Sequence, residues 1–326
     1  MAPPAHHAPG GGFRNPWPDS APKGFAPLAT WLLTRRTTRR PRPDPDPSIF
    51  EVATPAVGQA TRGGELAVTW IGHSTVLVEA AGFRLLTDPI FSDYAAPVRA
   101  PSLRRWVRVP LPVGRLPPLD AVLLSHNHYD PLDAPTVRAL SQLQPATRWV
   151  TPLGNARLLR RLGAREVLEL DWWEEATLGP ARVALTPAQH FSARGLYDRN
   201  RALWGGFAVI TTENRVFFAG DTGHHPEFAA IAARYGPFDL QLLPIGAYEP
   251  RWFMRPMHMD PTDALRAYRE LGGGVLVPIH WGTFKLTDEP MDEPPRRTRR
   301  EWEEAGLPRE RLWLLRHGET RVGRVG

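Results

Sequence analysis

Ser125-His126-Asn127-His128-Tyr129-Asp130-Pro131 follows directly on the apolar run Ala121-Val122-Leu123-Leu124. The run is short, apolar and bounded by polar residues, which predicts a buried strand. Beyond it stand two histidines two residues apart, with an Asp two residues further on. On an extended backbone such positions lie on one side. Both imidazoles and the carboxylate can then address one point, as in a loop that holds a metal ion. Two plainer readings stay open. One is a polar turn that happens to carry two histidines. The other is a helix start, with Asp130 as cap and Pro131 in the first turn.

Three more predicted strands run into ligand-type residues. Ala181–Thr186 leads to His190, Val216–Ala219 to Asp221 and Val275–Ile279 to His280. One strand ending in His is ordinary; four such endings in separate short loops point to a shared cleft. Three His plus a carboxylate that reaches both sides make a nitrogen and oxygen site suited to zinc, or to iron or manganese. The chain has no Cys, so thiolate ligation and disulfides are excluded.

The 326 residues, 42% hydrophobic and 23% charged, fit one large α/β domain with a sizeable core. Of 40 basic residues only Lys23 and Lys285 are lysine, and the net charge is +6. Guanidinium groups suit phosphate, and the sign suits an anionic membrane surface; a nucleic-acid partner is not expected. No apolar run reaches the length of a membrane span, and Met1–Gly12 lacks the pattern of a secretory signal. The expected location is the cytoplasm, with peripheral contact to a membrane.

Residues 1–48 read as a Pro/Arg-rich arm, and 49–326 as one folded domain. Residues 1–12 are expected to be a loose tail, and 41–47 an extended linker. Phe13, Trp17, Trp31, Leu32 and Leu33 imply that the arm lies on the domain, on a second copy of the chain in a homodimer, or on a membrane. Strands are predicted at Leu66–Ile71, Thr75–Ala80 and Phe83–Thr87, followed by a long surface loop over 91–119. A last strand is predicted at Leu312–Leu315. Strands fall into two sets, each followed mostly by helices. That pattern predicts two packed sheets with helices outside, a four-layer α/β sandwich.

The chain resembles the metallo-β-lactamase superfamily, marked by His-x-His-x-Asp-His followed by distant His, Asp and His. Longer stretches are similar to one family within it. They include Asn15-Pro16-Trp17-Pro18, Trp70-Ile71-Gly72-His73-Ser74-Thr75, Thr87-Asp88-Pro89-Ile90-Phe91-Ser92, Asp171-Trp172-Trp173-Glu174-Glu175, Phe218-Ala219-Gly220-Asp221-Thr222-Gly223, Tyr248-Glu249-Pro250-Arg251-Trp252-Phe253-Met254 and Ile279-His280-Trp281-Gly282-Thr283-Phe284. These resemble the N-acylphosphatidylethanolamine-hydrolysing phospholipase D family. The resemblance implies the metallo-β-lactamase αββα sandwich and two zinc ions.

It also implies roles. His126, His128 and His190 would hold the first ion, and Asp221 would bridge both. Asp130 and His280 would hold the second. Where the pattern requires a further His, this chain has Pro131, which offers no side-chain ligand. His224 is a conceivable substitute, or else a surface residue. His73 and Asp88 are expected to orient ligating imidazoles. His258 matches a family His near the substrate phosphate, and is otherwise a helix-entry residue. Tyr129 and Trp252 are expected to touch substrate, with packing as the alternative for Tyr129. Trp172-Trp173 would line an acyl groove or the core, and His6, His7 and His317 are read as surface residues. The implied reaction is hydrolysis at phosphorus by water activated at the metal, giving N-acylethanolamine and phosphatidic acid. The alternatives are a lactonase or nuclease of the same fold, or a metal-impaired protein that binds lipid or a partner.

Overall fold

The computed structural model describes residues 4–37, 41–58, 63–195 and 197–324. The first sheet begins with the antiparallel meander β1 (Glu65–Gly72), β2 (Thr75–Ala80) and β3 (Phe83–Thr87). β4 (Ala121–Leu123), β5 (Arg148–Pro152) and β6 (Glu166–Leu170) continue it in parallel. β13 (Thr320–Arg324) pairs antiparallel with β1 at the far edge.

The second sheet holds the antiparallel strands β7 (Glu175–Leu178), β8 (Ala181–Thr186), β9 (Gly206–Ile210) and β10 (Arg215–Phe218). β11 (Leu240–Pro244) and β12 (Val275–Ile279) extend it in parallel.

Side-chain alternation explains the layers. In β2, Val76 and Val78 face the second sheet, while Leu77 points the other way. The inter-sheet core also takes Trp70 and Leu123 from one side, and Leu185, Phe207, Phe218 and Val277 from the other. Leu77 packs under α2 (Ala134–Leu143) and α3 (Ala156–Arg161), through Val137, Leu140 and Leu159. On the opposite outer face α4 (Phe228–Tyr235), α6 (Pro261–Glu270) and α7 (Glu293–Glu304) cover Phe217, Leu243 and Leu276. The result is the predicted αββα sandwich. Strands buried on both faces carry near-continuous apolar runs, which is why they stand out in the sequence.

Several expectations are corrected. Leu312–Leu315 makes only an isolated bridge, Leu276 to Leu312, and the last strand is β13. Its Thr-Arg-Val-Gly-Arg sequence is too polar to announce an edge strand. The 91–119 segment is not confined to the surface, because Leu111, Leu116 and Leu119 pack beneath α2 and α3. Residues 1–3 lie outside the described residues, but 4–12 fold back onto the domain. There His6 and His7 Nε2 lie 2.6 and 2.7 Å from the two oxygens of Asp171. His6 and His317 are buried rather than exposed.

The arm lies on the domain. Trp17 stacks between Trp172 and His225, at 5.7 and 4.8 Å. Residues after Gly24 form α1 (Phe25–Thr37), with Pro27 tolerated in its first turn. Trp31 of α1 meets Phe253 of α5 (Arg251–Met254) at 5.2 Å. Its indole N–H donates to Asp288 at 2.5 Å. Leu32 and Leu33 point outward, 44% and 68% exposed.

Candidate metal centre

The loops that follow β3, β4, β8, β10 and β12, and the β1–β2 turn, open on one cleft. Ligands collect at such carboxyl ends because the sheet fixes the loops that leave it. His126 Nε2 lies 2.9 Å from His128 Nδ1, which lies 3.2 Å from His190 Nε2. His190 Nδ1 donates to the Met257 carbonyl at 3.0 Å, so its Nε2 presents a lone pair to the cleft. His126 Nδ1 is 2.8 Å from Ser125 Oγ, which bonds Asp88 at 2.5 Å. With Asp88 ionised, Ser125 donates to it and accepts from His126, which frees His126 Nε2 as well. Burial pushes the Asp88 carboxyl well above its usual range; a cation in the cleft favours its ionised form.

A second group faces the first. His73 Nε2 is 3.0 Å from Asp130 Oδ2, and His280 Nε2 is 3.1 Å from Asp221 Oδ2 and 3.7 Å from Asp130 Oδ2. Asp221 Oδ2 is also 3.8 Å from His126 Nε2, so this carboxylate faces both groups. Burial lowers His126, His190 and His258, and takes His128 down to about 4, so these imidazoles are neutral near pH 7. Burial also opposes charge on Asp221, Asp130 and His280. Their mutual attraction outweighs it, holding both carboxyls well below their usual range and lifting His280 to about 10. Neutral imidazoles beside two ionised carboxylates make a cation site.

The residues fit metal ions on a further ground. His280 Nδ1 and His258 Nδ1 are buried with no hydrogen-bond partner among the described residues. Buried polar atoms are seldom left so. Ligand-capable atoms converge within 4.8 Å in His126/His128/His190, in His73/Asp130/His280 and in His190/Asp221/His258.

Asp130 is not a helix cap, since α2 starts at Ala134 with Asp133 in the cap position. His224 bonds Glu270 at 2.9 Å and belongs to neither group. Trp172 is buried in the core against His6 and Trp17, apart from the cleft. Tyr129 reaches the cleft, as do Phe253 and Met254, within a cavity of about 500 Å³. Trp252 does not; it borders a neighbouring groove with Arg251 and Arg255. His258 lines the cleft between His190 and His280, with ring centres 5.1 and 5.2 Å away.

Two contributors carry no signal in the sequence. Arg194 donates to the carbonyls of Asn127, His128 and Leu132 at 3.0, 3.0 and 2.8 Å, and fixes the loop that carries His126 and His128. Among so many arginines nothing marks it. Lys23, at the rim, is set apart only by being a lysine.

Residues 83–281 match the family described as the beta-lactamase superfamily domain. An uncharacterised protein of Mycobacterium tuberculosis is 42% identical over 279 residues, 83% of this chain and 72% of the relative. A protein of Caenorhabditis elegans named N-acyl-phosphatidylethanolamine-hydrolyzing phospholipase D 1 is 40% identical over 240 residues, 70% of this chain and 67% of the relative. The chain belongs to the beta-lactamase superfamily, in its N-acylphosphatidylethanolamine phospholipase D-like family. The fold of this superfamily member is also that of a metallo hydrolase from Ignicoccus hospitalis. That structure has a TM-score of 0.61 and 24% identity, and the match covers 80% of this chain and all of that one. The protein is a metallo-hydrolase of beta-lactamase fold.

Proposed function

We propose that the protein is a zinc-dependent phosphodiesterase of phospholipase D type that hydrolyses N-acylphosphatidylethanolamine-like lipids. One observation carries the reading. The polar metal cleft continues into an apolar wall built by Leu28, Trp31, Phe253, Met254 and Met257. Such a pairing suits a substrate with a phosphodiester at one end and long hydrocarbon chains at the other. The name of the worm relative supports the same substrate class.

His126, His128, His190 and Asp221 would hold one ion, and Asp130, Asp221 and His280 the other. When bound, the ions lower the pKa of water to about 7 and polarise phosphate oxygens. The chain supplies the rest. Asp221 sets the spacing between the two groups. His258, kept neutral by burial, can hold or pass a proton at its free Nδ1 where the ethanolamide oxygen leaves. Lys23 and Arg199 at the rim draw the anionic headgroup inward. Among the described residues no helix is long and apolar enough to cross a membrane. Contact with the bilayer is assigned to Leu32 and Leu33 of α1, which expose large apolar side chains next to the cleft wall.

The test is a substrate panel. Zinc-loaded protein is given vesicles of N-acylphosphatidylethanolamine, an N-acyl lactone and an oligonucleotide, with Asp221→Ala as control. Lipid turnover that disappears in the variant is the expected result. Turnover of lactone or oligonucleotide alone overturns the proposal.

A further inference from the structure

Pro131 stands where the His-x-His-x-Asp-His pattern places a ligand of the second ion. The β1–β2 turn places an imidazole, that of His73, beside Asp130 on the same side of the cleft. We infer that His73 supplies the missing ligand and completes the second metal position with Asp130, Asp221 and His280. The inference rests on the two-metal reading of the cleft and is independent of the substrate.

The geometry favours ligation over a distant orienting role. The His73, Asp130 and His280 ligand atoms lie within 4.8 Å of one another. Around a tetrahedral zinc with bonds of about 2.0–2.2 Å, ligand atoms stand about 3.3–3.6 Å apart. His73 Nε2 to Asp130 Oδ2 is 3.0 Å, His280 Nε2 to Asp221 Oδ2 is 3.1 Å and His280 Nε2 to Asp130 Oδ2 is 3.7 Å. A cation placed among these atoms needs only small adjustments.

The backbone is built to hold the ring there. The His73 carbonyl accepts from His280 N at 3.0 Å and from the Trp70 indole at 2.8 Å, and its N–H donates to Thr283 Oγ1 at 2.6 Å. The two imidazoles sit 4.1 Å apart, centre to centre. His73 and His280 adopt left-handed backbone at φ 55° and 61°. Such conformations cost of order 1–3 kcal/mol in a non-glycine residue and cluster where a site requires them.

The alternative is that His73 only donates a hydrogen bond to Asp130. Metal-stripped full-length protein is titrated with zinc, and bound metal is counted. Wild type is expected to take two ions per chain. His73→Asn keeps a residue that tolerates left-handed backbone. It is expected to retain the first ion and weaken the second by more than about 100-fold, beyond the 10–100-fold typical of an orienting partner. Adding Pro131→His to that variant restores the second ion. A His73→Asn protein whose second ion binds within 100-fold of wild type overturns the inference and leaves the two-metal reading intact. A wild-type count of one overturns both. Anomalous diffraction from the zinc-loaded wild type needs no variant. A second ion about 2.0–2.1 Å from His73 Nε2 supports ligation, whereas one beyond bonding distance overturns it.

Discussion

Gly220 is pressed against Ser125: a Cβ built on Gly220 would lie 2.6 Å from the Ser125 Cβ. Gly220 has φ of 60°, so its left-handed backbone also favours glycine. Ser125 in turn joins Asp88 to His126. Gly220→Ala is therefore expected to do more than the roughly 1–2 kcal/mol of backbone strain. By displacing Ser125 it disorients His126 and weakens the first ion about 10–100-fold. Competition with a chromogenic chelator measures this; unchanged affinity contradicts the Asp88–Ser125–His126 support.

His258 lines the cleft, and its Nδ1 has no hydrogen-bond partner among the described residues. His258→Gln is expected to lower kcat by about 100-fold or more, the usual contribution of a positioned acid or base, with the metal count unchanged. A lost ion instead would make His258 a ligand, since it also converges with His190 and Asp221.

Leu32 and Leu33 are exposed immediately after Trp31, which belongs to the cleft wall. Burying a Leu side chain fully is worth about 1.5–3 kcal/mol. Leu32→Ser with Leu33→Ser is expected to weaken sedimentation with anionic vesicles by at least about tenfold. Hydrolysis of a short-chain, dispersed substrate should be unchanged.

Acid stability follows from two histidines outside the cleft. Burial takes His225 and His317 down to about 3. In the unfolded chain each titrates near 6.5, so between those values the unfolded state binds more protons. Stability therefore rises with pH across that window, and is lost as pH falls from about 6.5 toward 3. Each group contributes about 1.4 kcal/mol per pH unit there. His317→Asn should flatten the urea midpoint against pH between 6.5 and 4; an unchanged slope contradicts the assignment.

The fold was legible because strands buried on both faces leave unbroken apolar runs such as Val275–Ile279, and because Asp260 with Pro261 marks the start of α6. The edge strands β7 and β13, polar and partly exposed, leave no such trace. The groups around the cleft were legible because each metal-type side chain ends a strand. Their supports were not. Arg194 acts through carbonyls that leave no mark in the sequence, and the β1–β2 turn shows its relation to Asp130 only once β1 and β4 share a sheet. The arm was legible in part: its aromatics implied a surface to lie on, and that surface is the domain, whereas residues 1–12 read as a loose tail. Trp17 and Trp31 find Trp172 and Phe253 as their aromatic character implied, but nothing in the small, Pro-rich start announces that His6 pairs with Asp171.

The proposed reaction is water attack at the phosphorus of an N-acylated phospholipid. Zinc-loaded protein is incubated with N-acylphosphatidylethanolamine vesicles in ¹⁸O-enriched water and followed by phosphorus NMR. Attack at phosphorus gives phosphatidic acid with one ¹⁸O on its phosphate, while the N-acylethanolamine leaves with its original oxygen. Label in the N-acylethanolamine, or no phosphatidic acid from fully loaded protein, would contradict it.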